Sequence, residues 1–206
     1  MKKTDRKTLR TIVSMLIMSV LIVISYYFIR TNDNIDVTKV VDNRTEVEVL
    51  IDENLNKDYP STPKEVLELY VRISKNFYER TTTDEQIEKL SEQMLLLFDE
   101  ELIKNNPSEE YKLKLKNEIN QFRNKNISVM NYIVGDNSLA EFWTKEYTEY
   151  ASHIVSYTLK EESNYTKVFD SFIFRKSNEG KWKIMGWTSV NPPSKKNPSS
   201  DEKAKK

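Results

Sequence analysis

The chain of 206 residues has no cysteine, one histidine and three glycines. The missing cysteines exclude disulfides, thiolate nucleophiles and cysteine-ligated metals. The glycines, Gly135, Gly180 and Gly186, are scattered. Neither a glycine-rich phosphate loop nor a Gly-x-Ser-x-Gly nucleophile elbow can be built from them. A lone histidine, His153, cannot furnish a two-histidine metalloprotease helix. An excess of charge is missing too, with 32 Lys+Arg against 32 Asp+Glu.

What is present begins with the first thirty residues. Lys2, Lys3, Arg6, Lys7 and Arg10 precede nineteen uncharged residues, Thr11 to Ile29, of which fifteen are apolar. At about 1.5 Å per residue this run spans roughly 28 Å, near the hydrocarbon thickness of a bilayer. Tyr26 and Tyr27 suit its far interface. A cleaved signal peptide is the rival reading. The run is longer than a signal core of about 7–15 residues and no small-x-small site follows it, so an uncleaved anchor is expected. The flanking charges put residues 1–10 in the cytoplasm, a transmembrane helix at 11–29, and the remainder outside. Removing Lys2, Lys3, Arg6, Lys7, Arg10 and Arg30 from the basic total, and Asp5 from the acidic total, leaves 26 against 31, a net charge of −5 for the exported part. A mildly acidic surface lacks the basic stripe that nucleic acid requires, so no nucleic-acid partner is expected.

Residues 30–60 read as a stalk. It holds a short element at 45–55, a helix by the Thr45/Glu48 capping pattern or a strand by Val47, Val49 and Ile51. Thr62, Pro63 and Glu65 open a helix that runs to about Arg80 with Val66, Leu69, Tyr70, Ile73 and Phe77 as its apolar stripe. Thr83 and Gln86 start a second, running to about Lys104. Asn106-Pro107 with Glu109 starts a third, ending near Lys125. Beyond Asn126 the apolar period falls to two. Strands are expected at 127–134, 139–146, 150–160, 165–175 and 182–190, with turns at Gly135-Asp136-Asn137 and Ser177-Asn178-Glu179-Gly180. The tail, 191–206, is polar and reads as solvated. Helices followed by antiparallel strands give an α+β exported domain over 61–190, about three helices packed on a sheet of four to five strands. Strand 165–175 carries aromatics on both faces, so the face away from the helices calls for a bend of the sheet or a second subunit.

The closing stretch Glu179-Gly180-Lys181-Trp182-Lys183-Ile184, followed by Trp187, resembles the nuclear transport factor 2-like superfamily, which implies a curved sheet and a cone-shaped α+β fold. The chain from the anchor to Val190 is similar to a group of small single-pass membrane proteins of clostridial-type bacteria with a domain of unknown function. The segments that carry this likeness are Asp58–Val66, Leu97–Leu102 and Gly180–Trp187. That group implies no catalytic residue. The superfamily includes enzymes, transport factors and membrane-anchored assembly components, and fold alone does not choose among them.

His153 lies mid-strand on a face with Ala151, Val155, Tyr157 and Leu159. A functional reading makes it a general base with Asp170 as partner and Tyr157 as hydrogen-bonding group. The favoured reading is a structural sheet histidine. Asp99-Glu100-Glu101 and Glu109-Glu110 lack the spacing of a calcium loop and read as a solvated helix end and an acidic first turn. Trp143, Trp182 and Trp187 read as core and sheet cross-pairs rather than a pocket for an apolar or sugar ligand. No cofactor and no metal are expected. The expected function is a non-catalytic interaction or assembly module of the cell envelope. Its partners would be the bilayer through 11–29 and an envelope protein or a second copy through the sheet. The alternative is a small-ligand-binding or lyase-like domain using the interior of the cone.

Overall fold

The structure is a computed structural model and describes residues 44–136 and 140–192. The cytoplasmic segment 1–10, the anchor 11–29, the start of the stalk, Asn137, Leu139 and the tail from 193 onward lie outside the described residues. Among the described residues no helix is long and apolar enough to cross a membrane.

Among the described residues five helices precede five strands, so the class is α+β. The helices are α1 (Glu46–Asp52), α2 (Pro63–Tyr78), α3 (Asp84–Leu97), α4 (Glu100–Asn105) and α5 (Ser108–Asn124). Three of them start with a full capping box: Thr45 with Glu48, Thr62 with Glu65, and Thr83 with Gln86. Each box satisfies orphan amides reciprocally, and each cap is worth about 1 kcal/mol. The open choice at 45–55 falls to helix. That helix belongs to the core: Val47 and Leu50 are buried in it, with Leu55 just beyond.

Two expectations for the helices need correction. The helix expected from Thr83 to about Lys104 is two helices. Phe98 leaves helical geometry at φ −80°, ψ 147° and forms a parallel bridge with Ile184. The amide of Asp99 then donates to the Ile184 carbonyl at 2.8 Å, and the Asp99 carboxylate caps α4 through the Glu101 amide at 2.9 Å. A backbone pairing with the sheet outweighs the continuing apolar period. The third capping box at Asn106 and Glu109 does not form. Pro107 is the N-cap of α5 and makes no side-chain cap bond. The Asn106 amide turns back instead and donates to Leu102 O at 3.2 Å, closing α4.

The strands are β1 (Ile127–Val134), β2 (Glu141–Lys145), β3 (Thr148–Glu161), β4 (Asn164–Lys176) and β5 (Trp182–Ser189). They form one antiparallel sheet in the order β1-β3-β4-β5, with β2 pairing with β3 as well. β1 meets the second half of β3 and β2 the first half, so both lie along one edge of that long strand. The strand expected at 139–146 ends at Lys145 because Glu146 and Tyr147 turn the chain, both at positive φ. Gly180, at φ 77°, supplies the left-handed position of the β4–β5 turn.

The inner face of the sheet presents Ala151 and Val155 of β3, Phe172 and Phe174 of β4, and Trp182 and Ile184 of β5, all buried. α2 lies against them. Beyond its expected stripe it buries Leu67 and Val71 completely, because α1 and α3 pack on its other side. Each such side chain contributes about 1.5–3 kcal/mol by leaving water. On the outer face Ile133 and Ile173 are 56% and 41% exposed, so this face of the single chain stays open.

Candidate functional site

The helices and the sheet leave a solvent-open pocket between them, with Trp187 of its lining 43% exposed. A cavity of about 500 Å³ lies between α2, α5 and the inner face of β3 to β5, within the range of small-molecule sites. Each lining group is put there by its element. α2 contributes Tyr70 and Tyr78, one face of the helix two turns apart. α5 contributes Tyr111, Glu118 and Phe122 at helical spacing. β3 contributes Tyr157, β4 Asp170 and β5 Trp187. Tyr157 and Asp170 point inward because they share parity with Val155 and Phe172 of their own strands, both buried. Trp187 joins that face through the register shift in the β4–β5 ladder, beyond which it pairs with Phe172.

Four tyrosines therefore meet at one cavity. The Tyr78 hydroxyl donates to Glu118 Oε1 at 2.6 Å, tying α2 to α5, and the Tyr78 and Phe122 rings of the two elements lie 4.4 Å apart, tilted by 30°. The hydroxyls of Tyr70, Tyr111 and Tyr157 have no hydrogen-bond partner among the described residues. Burial pushes the ionisation of all four well above the usual tyrosine range. Glu118 adds to this at Tyr70, Tyr78 and Tyr111, and Asp170 adds to it at Tyr157. They are neutral phenols at any physiological pH, each able to donate and accept. Asp170 accepts from Ser189 Oγ at 2.9 Å. The arrangement can hold a ligand by hydrogen bonds and ring contacts.

The structure brings Tyr157 and Asp170 to the cavity and leaves His153 apart. His153 pairs with Phe172, two positions along from the Val155–Asp170 pair, and it does not line the cavity. It is 1% exposed. Its Nδ1 lies 3.4 Å from Ile154 O, and its Nε2 is buried with no partner among the described residues. Burial lowers its pKa below the ordinary 6.5, which keeps the ring neutral. Because the folded chain binds this proton less readily than the unfolded chain, stability is full above pH 6.5 and falls as pH drops below it. The loss is at most about 1.4 kcal/mol per pH unit. His153→Leu should flatten the difference in urea midpoint between pH 7 and pH 5. An unchanged slope in that variant would assign the acid sensitivity elsewhere.

Of the three tryptophans, Trp182 is buried in the core and Trp143 stacks on its cross-strand neighbour Tyr150 at 5.7 Å. Trp187 differs: it lines the cavity, stacked on Phe172 at 5.4 Å. Asp99 is not part of a solvated helix end. Its side chain is 5% exposed and pairs with Arg175 through two nitrogens, Nε–H to Oδ2 at 3.0 Å and Nη2–H to Oδ1. Among the described residues no three His, Asp or Glu side chains gather to hold a metal ion.

Sequence reasoning missed Tyr70, Tyr78, Tyr111 and Glu118 as site residues. The available signal was a helical stripe whose members carry hydroxyls: Tyr70 sits among Val66, Ile73 and Phe77, and Tyr111 stands one turn before Leu115. Such rings pack like core residues, yet their polar tips need partners.

Residues 1–187 match the family described as Domain of unknown function (DUF6715), and the chain belongs to that family. No curated protein matches the chain.

Proposed function

We propose that this chain is a membrane-tethered, extracytoplasmic binding domain that holds a small, partly apolar ligand in the cavity between α2, α5 and the sheet. The carrying observation is the cavity of about 500 Å³ with three phenol hydroxyls that have no partner among the described residues. A packed core would have filled this space. Helices over one face of a five-stranded sheet, with a hollow interior, support the nuclear transport factor 2-like reading of the fold. The tether is residues 11–29, with the N-terminus in the cytoplasm.

The test is a panel of water-soluble aromatic and aliphatic compounds, screened by saturation-transfer NMR against the full chain in a neutral maltoside detergent, with empty micelles as blank. Compounds that bind should lose at least about tenfold in affinity in Val168→Phe, since the added ring enters the cavity. Binding that is indifferent to this substitution would place the ligand elsewhere, and no binding across the panel would refute the reading.

A further inference from the structure

The charges around the cavity are two cations and two anions, and their placement narrows the ligand. Four formal charges line it: Lys75, Lys114, Glu118 and Asp170. Lys114 is paired with Glu110 at 2.7 Å, one turn earlier on α5. Lys75 lies in the last turn of α2, where the free carbonyls of the helix end favour a cation. The two carboxylates of the lining are Glu118, exposed on α5 and accepting from Tyr78, and Asp170, half-buried on β4. After burial, Glu118 raises the ionisation of the Tyr111 phenol and Asp170 that of the Tyr157 phenol. Asp170 has a single hydroxyl, Ser189, as its hydrogen-bond partner among the described residues.

The rings beside these carboxylates form a continuous wall. Tyr70 lies 5.6 Å from Trp187, Phe98 lies 6.1 Å from Trp187, and Phe98 meets Tyr111 edge-on at 5.4 Å. Ring faces attract cations, and the attraction grows where water is excluded. Carboxylates beside such rings add a longer-range pull that an aromatic wall alone does not supply.

We propose, on the premise that the cavity is a ligand site, that it selects an organic cation. An alkylated ammonium head would lie against Tyr70, Tyr111 and Trp187, with Glu118 and Asp170 providing the opposing charge and the apolar floor taking the body of the ligand. A fully solvated inorganic cation is a poor fit, because the wall offers ring faces where such an ion needs oxygens.

The experiment compares three probes of nearly one shape that differ in charge: choline, 3,3-dimethylbutan-1-ol and 3,3-dimethylbutanoate. Each is titrated by NMR into the full chain in maltoside micelles. Choline should bind about tenfold tighter than the alcohol, and the anion weakest. Glu118→Gln and Asp170→Asn should each weaken choline several-fold more than they weaken the alcohol, and an unchanged near-ultraviolet circular dichroism spectrum shows that the variants still fold. Equal binding of choline and the alcohol, or preference for the anion, would overturn the charge selection and leave the cavity a ligand site. A cavity that takes none of the three, while compounds of the general panel bind in it, also overturns it. If nothing binds in either experiment, the cavity is not a ligand site and both readings fall.

Discussion

Arg175→Met should destabilise the domain by about 3 kcal/mol, more than Asp99→Ala, although the two residues form one ion pair. The reason is unequal burial. The Asp99 side chain is 5% exposed and that of Arg175 is 28% exposed. Removing the arginine strands a carboxylate at the joint between α3, α4 and β5, where among the described residues the Glu101 amide alone remains to it. Breaking a buried pair from that side costs about 3–5 kcal/mol, and the partial exposure of Arg175 argues for the lower end. Removing the aspartate instead frees an arginine that can turn toward water or toward Glu101, 3.4 Å from Nη1. What is then lost is chiefly the cap of α4, about 1 kcal/mol. The double variant Asp99→Leu with Arg175→Met should recover much of the loss, because a buried ion pair replaced as a unit is often close to neutral. Urea unfolding followed by tryptophan fluorescence reads all four proteins. Equal losses in the two single variants would show that the pair behaves as a surface bridge.

Alkali should unfold the domain in one cooperative step. Tyr59, Tyr70, Tyr78, Tyr111 and Tyr157 are all pushed above the ordinary value of 10.0, chiefly by burial. A raised tyrosine pKa leaves stability untouched below pH 10. Above it, the unfolded chain releases a proton that the folded chain still holds, so stability falls as pH rises. Each such group removes about 1.4 kcal/mol per pH unit, hence about 7 kcal/mol per unit for five. A domain of ordinary stability, about 5–15 kcal/mol, is exhausted one to two units above pH 10. Tyrosinate absorbance of these five should appear together with loss of near-ultraviolet circular dichroism. A gradual rise in absorbance with the tertiary signal intact would mean that the phenols ionise within the folded domain and that their burial does not govern its alkaline stability.

Local chemistry made most of the fold legible. Three threonine caps with acidic or amide partners three residues on, and a switch of apolar period from 3.6 to 2 at Asn126, placed the long helices and the strands. Two things were hidden because they are settled between elements distant in sequence. Phe98 and Asp99 look like a continuing helix until Ile184 and Arg175, some 80 residues later, draw them into the sheet. The cavity is invisible for a related reason. The periodicity that marks Tyr70 and Tyr111 as inward-facing is the same whether the space between them is packed or hollow. Of the three residues that the sequence nominated, Tyr157 and Asp170 lie on the same face of neighbouring strands and meet at the cavity, while His153 pairs with Phe172 farther along that face.

The central claim is that the interior between α2, α5 and the sheet is open to a small ligand. Soaking crystals of the protein with a fragment library tests it most directly. Density for bound fragments should cluster beside Tyr70, Tyr111 and Tyr157, within reach of Asp170 and Glu118. A cavity closed by side chains, or fragments found only on the outer sheet face around Ile133 and Ile173, would contradict it.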